Sequence, residues 1–400
     1  MNCINFLYIV FSKLVNSRIF FFISWVVFMT ALPLSLKSES LNTEDFSAND
    51  DIYYFLTSPQ KYISENVKDT YNFYGLARYL NNITYFTFDK DKLTKVNKNE
   101  TIELDESKKF LVVGRYKVLL IQADGLILSF NNSDLLINSS KEDKLLKVSL
   151  KLFSKNKLLN FDSKLDQIPY YNLWKPLAFL SKLVEYSITN IQKYIIDSWA
   201  ISLIIFSILI KIILFPVNYL TLSLQRKVDQ VKLKLGPKLD MIKSNFEGRD
   251  AHLKSIEAYK EFGVSPYYTL KPIWGIAIQI PILIAIFNAL GEMVQFSDQS
   301  FLWIKNLAYP DIIGQLPFTV PMIGEKISAL PIIMTLITVY STTSIKNQFT
   351  SIKENKRQKY NLYFMAILFF FIFYPFPSIM VLYWTMANIL QKLQQLLFKI

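Results

Sequence analysis

The sequence predicts a polytopic α-helical membrane protein. It has an N-terminal anchor span, a core of five further spans carrying a cytoplasmic helical hairpin, and a small β-rich extramembrane domain. Three observations predict it. Apolar residues make up 52% of the 400, and several apolar runs reach the roughly 20 residues that a bilayer-crossing helix needs. One long polar, turn-rich stretch, residues 37–168, interrupts them. The lysine-dominated net charge of +12 falls mainly in alternate connections, as it does in chains that keep basic loops on the cytoplasmic side. Such a surplus reflects topology and contact with lipid headgroups rather than specific nucleic-acid binding.

Lys13 and Arg18 precede the apolar run Ile19–Leu36. Residues 1–36 read as a retained anchor or a cleaved signal peptide, and the poor small-x-small site Ala31-Leu32-Pro33-Leu34-Ser35 favours the anchor. The basic flank holds the N-terminus in the cytoplasm and sends residue 37 outside. Within 37–168, short runs such as Phe110–Val113, Lys117–Ile121 and Leu126–Phe130 favour strands. VLLIQ and LILSF flank Ala123-Asp124-Gly125, which predicts a hairpin. The polar composition of 40–75 points to partial disorder.

Residues 169–400 form the predicted core. Trp174, Leu177, Leu180, Leu183 and Val184 recur at helical spacing, which predicts an interfacial helix over 172–190. Spans follow at about 199–222, 270–294, 330–349, 361–374 and 379–398. Between the first two lies 223–262, a basic hairpin whose charges include Arg226, Lys227, Lys234, Lys238 and Arg249. Val228, Val231, Leu235, Leu239 and Ile242 repeat at three- and four-residue steps there, and Asp250 is a fair N-cap for a second helix. With 295–328 outside and Lys346–Lys359 a second basic loop, both termini lie in the cytoplasm.

Enzyme signatures are missing: there is no Gly-rich phosphate loop, no His/Cys cluster and no paired carboxylates within a span. One cysteine excludes an intrachain disulfide, and one histidine, His252, reads as a solvated helix position. No cofactor or metal is implied. The polar residues that stand out are intramembrane. Lys211 lies in the middle of the 199–222 run, where a cation costs roughly 2.5–3.5 kcal/mol and usually serves a function. On a straight helix Ser207 and Asn218 fall within about 40° of Lys211. Trp384, Asn388, Gln391 and Gln395 share one face of the last span, and Thr335, Thr338 and Thr342 one face of the fourth. Gln279 and Asn288 lie nearly opposite each other, so at most one can join a common site unless Pro281 bends the helix. Hydrogen bonding between helices is the plain role of such residues. Lys211 differs, because no acidic residue lies near the middle of any span to neutralise it.

Several motifs, taken in order over roughly 172–398, resemble the YidC/Oxa/Alb membrane-protein insertases. They are NLWKPL, IKIILFP, Gly236-Pro237-Lys238 in a basic hairpin, YKEFGVSP before KPIWGIAIQIPILIAIF, and FYPFPSIMVLYWTMANILQKLQQ. The resemblance implies a five-helix core around a hydrophilic groove open to the cytoplasm and lipid. Lys211, Ser207, Asn218, Gln279, Thr338, Thr342, Trp384 and Asn388 would serve that groove. It further implies membrane-protein clients, and a basic hairpin that engages the ribosome and a Sec-type translocon. Lys211 stands where the family usually has arginine, and Ser265-Pro266 where it has Asn-Pro. A different class, a transporter or channel using Lys211 as an ion or proton site, is opposed by the lack of a repeated half and of a second charge at the centre of a span.

Overall fold

The computed structural model describes residues 49–343 and 352–397, apart from 98, 132–133, 140–147, 163 and 322. The expected anchor at 1–36 lies outside the described residues. The β-rich domain starts with two helices, α1 (Asn49–Thr57) and α2 (Pro59–Asn66). They correct the expectation of disorder over the described part of 40–75. Phe55 and Ile63 are fully buried against the sheets, so a few apolar side chains order a polar stretch.

Eight strands follow: β1 (Thr84–Asp89), β2 (Lys92–Lys95), β3 (Ile102–Leu104), β4 (Lys109–Val113), β5 (Lys117–Ala123), β6 (Leu126–Asn131), β7 (Asp134–Ser139) and β8 (Val148–Ser154). One antiparallel sheet runs β2-β1-β4-β5-β8 and a second runs β3-β6-β7. The hairpin expected across Ala123-Asp124-Gly125 is therefore not a β5–β6 pairing. Strand β5 is apolar on both faces, Leu119 and Ile121 facing one core and Val118 and Leu120 another. Its two edges are taken by β4 and β8. Gly125, at φ +83°, turns the chain into the second sheet, a backbone conformation open to glycine.

The remaining chain is mostly helical: α3 (Lys175–Tyr194), α4 (Trp199–Ile213), α5 (Phe215–Asn245), α6 (Gly248–Glu261), α7 (Ile273–Glu292), α8 (Ala329–Thr343), α9 (Ile352–Phe373) and α10 (Ser378–Leu397). Among the described residues, the 25-residue run Tyr268–Glu292 is long and apolar enough to cross a membrane alone. Helices α4 and α5 meet the same test together but are bent by 54°, and Ala329–Ser341 is apolar and shorter. The bend replaces the straight span expected over 199–222. Pro216 has no N–H to give the carbonyl of Ile212, so the helix turns at Leu214. The 295–328 connection contains a hairpin that its Gly- and Pro-broken sequence hides, β9 (Ile312–Val320) with β10 (Gly324–Ser328). Helix α9 starts at Ile352, well before the expected 361, because lysine and arginine extend a helix readily.

Helix α3 packs on α4 and α7, α10 packs against α4 and α8, and α9 lies along α8. Phe73, Ala77 and Leu80 of the β domain join the same apolar cluster as α4, α7 and α10. The two parts also share a polar seam. Arg115 pairs with Asp69 at 3.2 Å and donates to the Ala308 carbonyl at 3.1 Å, while the Tyr309 hydroxyl donates to Asp69 at 2.8 Å. Lys155 pairs with Glu292 at the end of α7. Glu185 of α3 accepts the Tyr170 hydroxyl at 2.7 Å, and burial pushes its carboxyl above the usual carboxylate range.

Helices α5 and α6 form an arm closed by Val228, Leu235 and Ile242 at seven-residue steps against Ala258 and Tyr268. Near its base, α5 meets α7 at Gly275, where a Cβ would lie 1.7 Å from the Thr221 hydroxyl. Gly275→Ala is expected to force this crossing apart and cost on the order of 1–3 kcal/mol. A drop of several degrees in the thermal inactivation midpoint in detergent would report it; an unchanged midpoint would rule out so close a crossing.

Candidate functional site

The bend at Leu214 places Lys211, at the end of α4, and Asn218, in the first turn of α5, on the wall of one cavity. Helix α7 contributes Gln279 and Leu283, and α10 contributes Trp384, Asn388 and Gln391. The cavity is about 280 Å³, room for several waters given roughly 30 Å³ each in the liquid. Polar side chains enter an otherwise apolar wall.

Those side chains are paired across helix boundaries. The Lys211 ammonium donates to Gln391 Oε1 at 2.9 Å, joining α4 to α10. Gln279 Nε2 donates to Asn218 Oδ1 at 2.8 Å, joining α7 to α5. Asn388 Nδ2 donates to Thr338 Oγ1 at 3.0 Å, joining α10 to α8. No carboxylate pairs with Lys211 among the described residues. Its charge is therefore solvated by one amide and by whatever fills the cavity, an arrangement suited to a transient anionic visitor. Trp384 anchors the apolar side, its ring 4.9 Å from Phe373, 5.2 Å from Phe369 and 6.1 Å from Phe287 between centroids.

Of the residues named from sequence, Lys211, Asn218, Gln279, Trp384 and Asn388 come together here. Thr338 stands just behind, holding Asn388. Ser207 does not face the cavity: it is buried, and its hydroxyl donates to the Leu203 carbonyl of its own helix at 2.7 Å. The straight-helix stripe that joined it to Lys211 ignores this local bond, which serine favours inside apolar helices. Thr342 lies in α8, with its side chain outside the described residues. Asn288 bonds back to the Ile284 carbonyl at 2.8 Å, and of these two amides it is Gln279 that joins the cavity. Gln391 completes the site. Its position three residues after Asn388 and seven after Trp384 was the available signal.

On the arm, Arg226, Lys227, Lys234 and Arg249 are exposed. Lys238 is tied across the arm to Glu261. The arm thus presents a basic surface, and α5 connects it directly to Asn218 in the cavity wall.

The pattern of the family described as 60Kd inner membrane protein matches residues 190–400, more than half of the chain. The protein called membrane protein insertase YidC of Leptospira interrogans is 32% identical over 214 residues, covering 52% of this chain and 32% of that protein. The protein of the same name in Treponema denticola is 30% identical over 224 residues, 55% of this chain and 37% of its own length. That of Chlamydia trachomatis is 29% identical over 248 residues, 59% of this chain and 31% of its own length. Each match thus spans about a third of the relative. The family match contains α4, the basic arm and every wall of the cavity, and on it the chain belongs to the 60Kd inner membrane proteins, the YidC/Oxa family.

Proposed function

We propose that this chain inserts and folds nascent membrane proteins without hydrolysing nucleotide. The observation that carries the reading is the un-neutralised Lys211 in a polar cavity among apolar helices. A wet cavity part-way across a bilayer shortens the barrier that a polar flanking segment must cross. The ammonium attracts acidic groups on that segment. The client's apolar span then moves into lipid, gaining on the order of 0.8 kcal/mol per buried CH₂. Weak contact at several points suits many clients, since tight binding would trap them.

In this reading the bent α4–α5 pair, α7, α8, α9 and α10 supply the five core spans, with the β domain outside and the arm in the cytoplasm. The arm's exposed Arg226, Lys227, Lys234 and Arg249 fit a polyanionic partner such as the ribosome. A Sec-type translocon and membrane lipids complete the partners. The decisive experiment places a photo-reactive residue at position 384. Crosslinks to a ribosome-held nascent membrane protein, and none to a soluble chain, are expected. Solute or ion flux through the reconstituted protein without such crosslinks would favour a transporter instead.

A further inference from the structure

We propose that Gln391 is the resting ligand of Lys211, and that it sets how strongly the groove prefers clients with an acidic flank. This rests on the insertase reading above. The two residues lie 180 positions apart on α4 and α10, and both line the cavity. Their 2.9 Å contact uses one of the three ammonium donors and brings no negative charge. The cation therefore keeps its pull on an anion while its side chain is held in one place. The Lys211–Gln391 bond already has an ionised donor, but a carboxylate adds the attraction of a full opposite charge, which the amide lacks. An acidic client can therefore take the amide's place, whereas a neutral one cannot.

The geometry suits such an exchange. Asn388, one turn earlier on α10, is held by Thr338, so the helix register is fixed by a neighbouring bond. Gln391 itself is half-buried at the cavity wall, so the open space of the cavity lies beside its side chain. A purely structural bond between helices would behave differently, since its loss would weaken insertion of every client alike.

The test uses the full chain as the only insertase in proteoliposomes. Two single-span clients are compared, identical except that the translocated flank carries two aspartates or two asparagines. Gln391→Glu supplies an internal counter-charge, and should lower the acidic-to-neutral insertion ratio on the order of tenfold, a modest effect for a close charge pair. Gln391→Leu frees the ammonium, and should raise the ratio and lengthen the crosslinked lifetime of the acidic client at position 384. Gln391→Asn keeps an amide on the same face and should restore the wild-type ratio. Equal loss for both clients in the Glu and Leu variants, with the ratio unchanged, would overturn the proposal. If the wild type inserts neither client, the insertase reading itself fails and takes this inference with it.

Discussion

Lys211→Ala is expected to reduce insertion of an acid-flanked client roughly ten- to a hundredfold, while Lys211→Arg retains most of it. The magnitude follows from the about 1.5–3 kcal/mol that a hydrogen bond to a charged group contributes. Lys211 is the donor available for that bond at the cavity wall, and its present partner is a neutral amide. Alanine would leave the amides of Gln279, Asn388 and Gln391, which can hydrate a passing segment but cannot attract it by charge. Arginine keeps the charge, and its planar fork can hold a carboxylate with two donors. Protease protection of a small client in a strain depleted of its own insertase would measure the effect. The groove mechanism would not survive if alanine at 211 and deletion of 223–262 both left insertion intact.

Much of this site was legible because membrane helices restrict what a polar residue can mean. An un-neutralised lysine in an apolar run is costly, so Lys211 stood out, and Trp384, Asn388 and Gln391 follow from helical spacing alone. Ser207 shows where periodicity stops informing. Its angular position is near that of Lys211, but a hydroxyl can bond its own backbone and need not face a cavity. The 54° bend is a second case. Pro216 lacks the N–H that would continue the helix, yet the apolar run reads as one straight span, and the way the bend brings Asn218 beside Gln279 is not encoded locally. In the β domain the alternation gave strands but not partners. Strand β5 is apolar on both faces, and its neighbours were decided by the two cores it divides. The Arg115–Asp69–Tyr309 seam left no sequence signal at all, since its members are 46 and 240 residues apart.

That seam carries the largest expected stability effect. Asp69→Ala or Arg115→Ala alone should destabilise the attachment of the β domain by about 3–5 kcal/mol, the cost of leaving one buried charge without its partner. The side chains are 3% and 1% exposed for Arg115 and Asp69, so water cannot take over the lost role. Arg115 is enclosed further by Phe73 and Tyr116, each ring centroid 4.6 Å from the guanidinium. Tyr309 cannot substitute for the arginine as a cation, but it stays a donor to Asp69, because burial pushes its hydroxyl up to about 12. The double replacement Asp69→Leu with Arg115→Met should recover much of the loss, since a well-packed apolar pair avoids the desolvation of both charges. Protease release of the β domain on a temperature ramp separates the cases: early release in each single variant and later release in the double. If the double variant releases as early as the singles, the Ala308 carbonyl and Tyr309 contacts, rather than the charge pair, hold the two parts together.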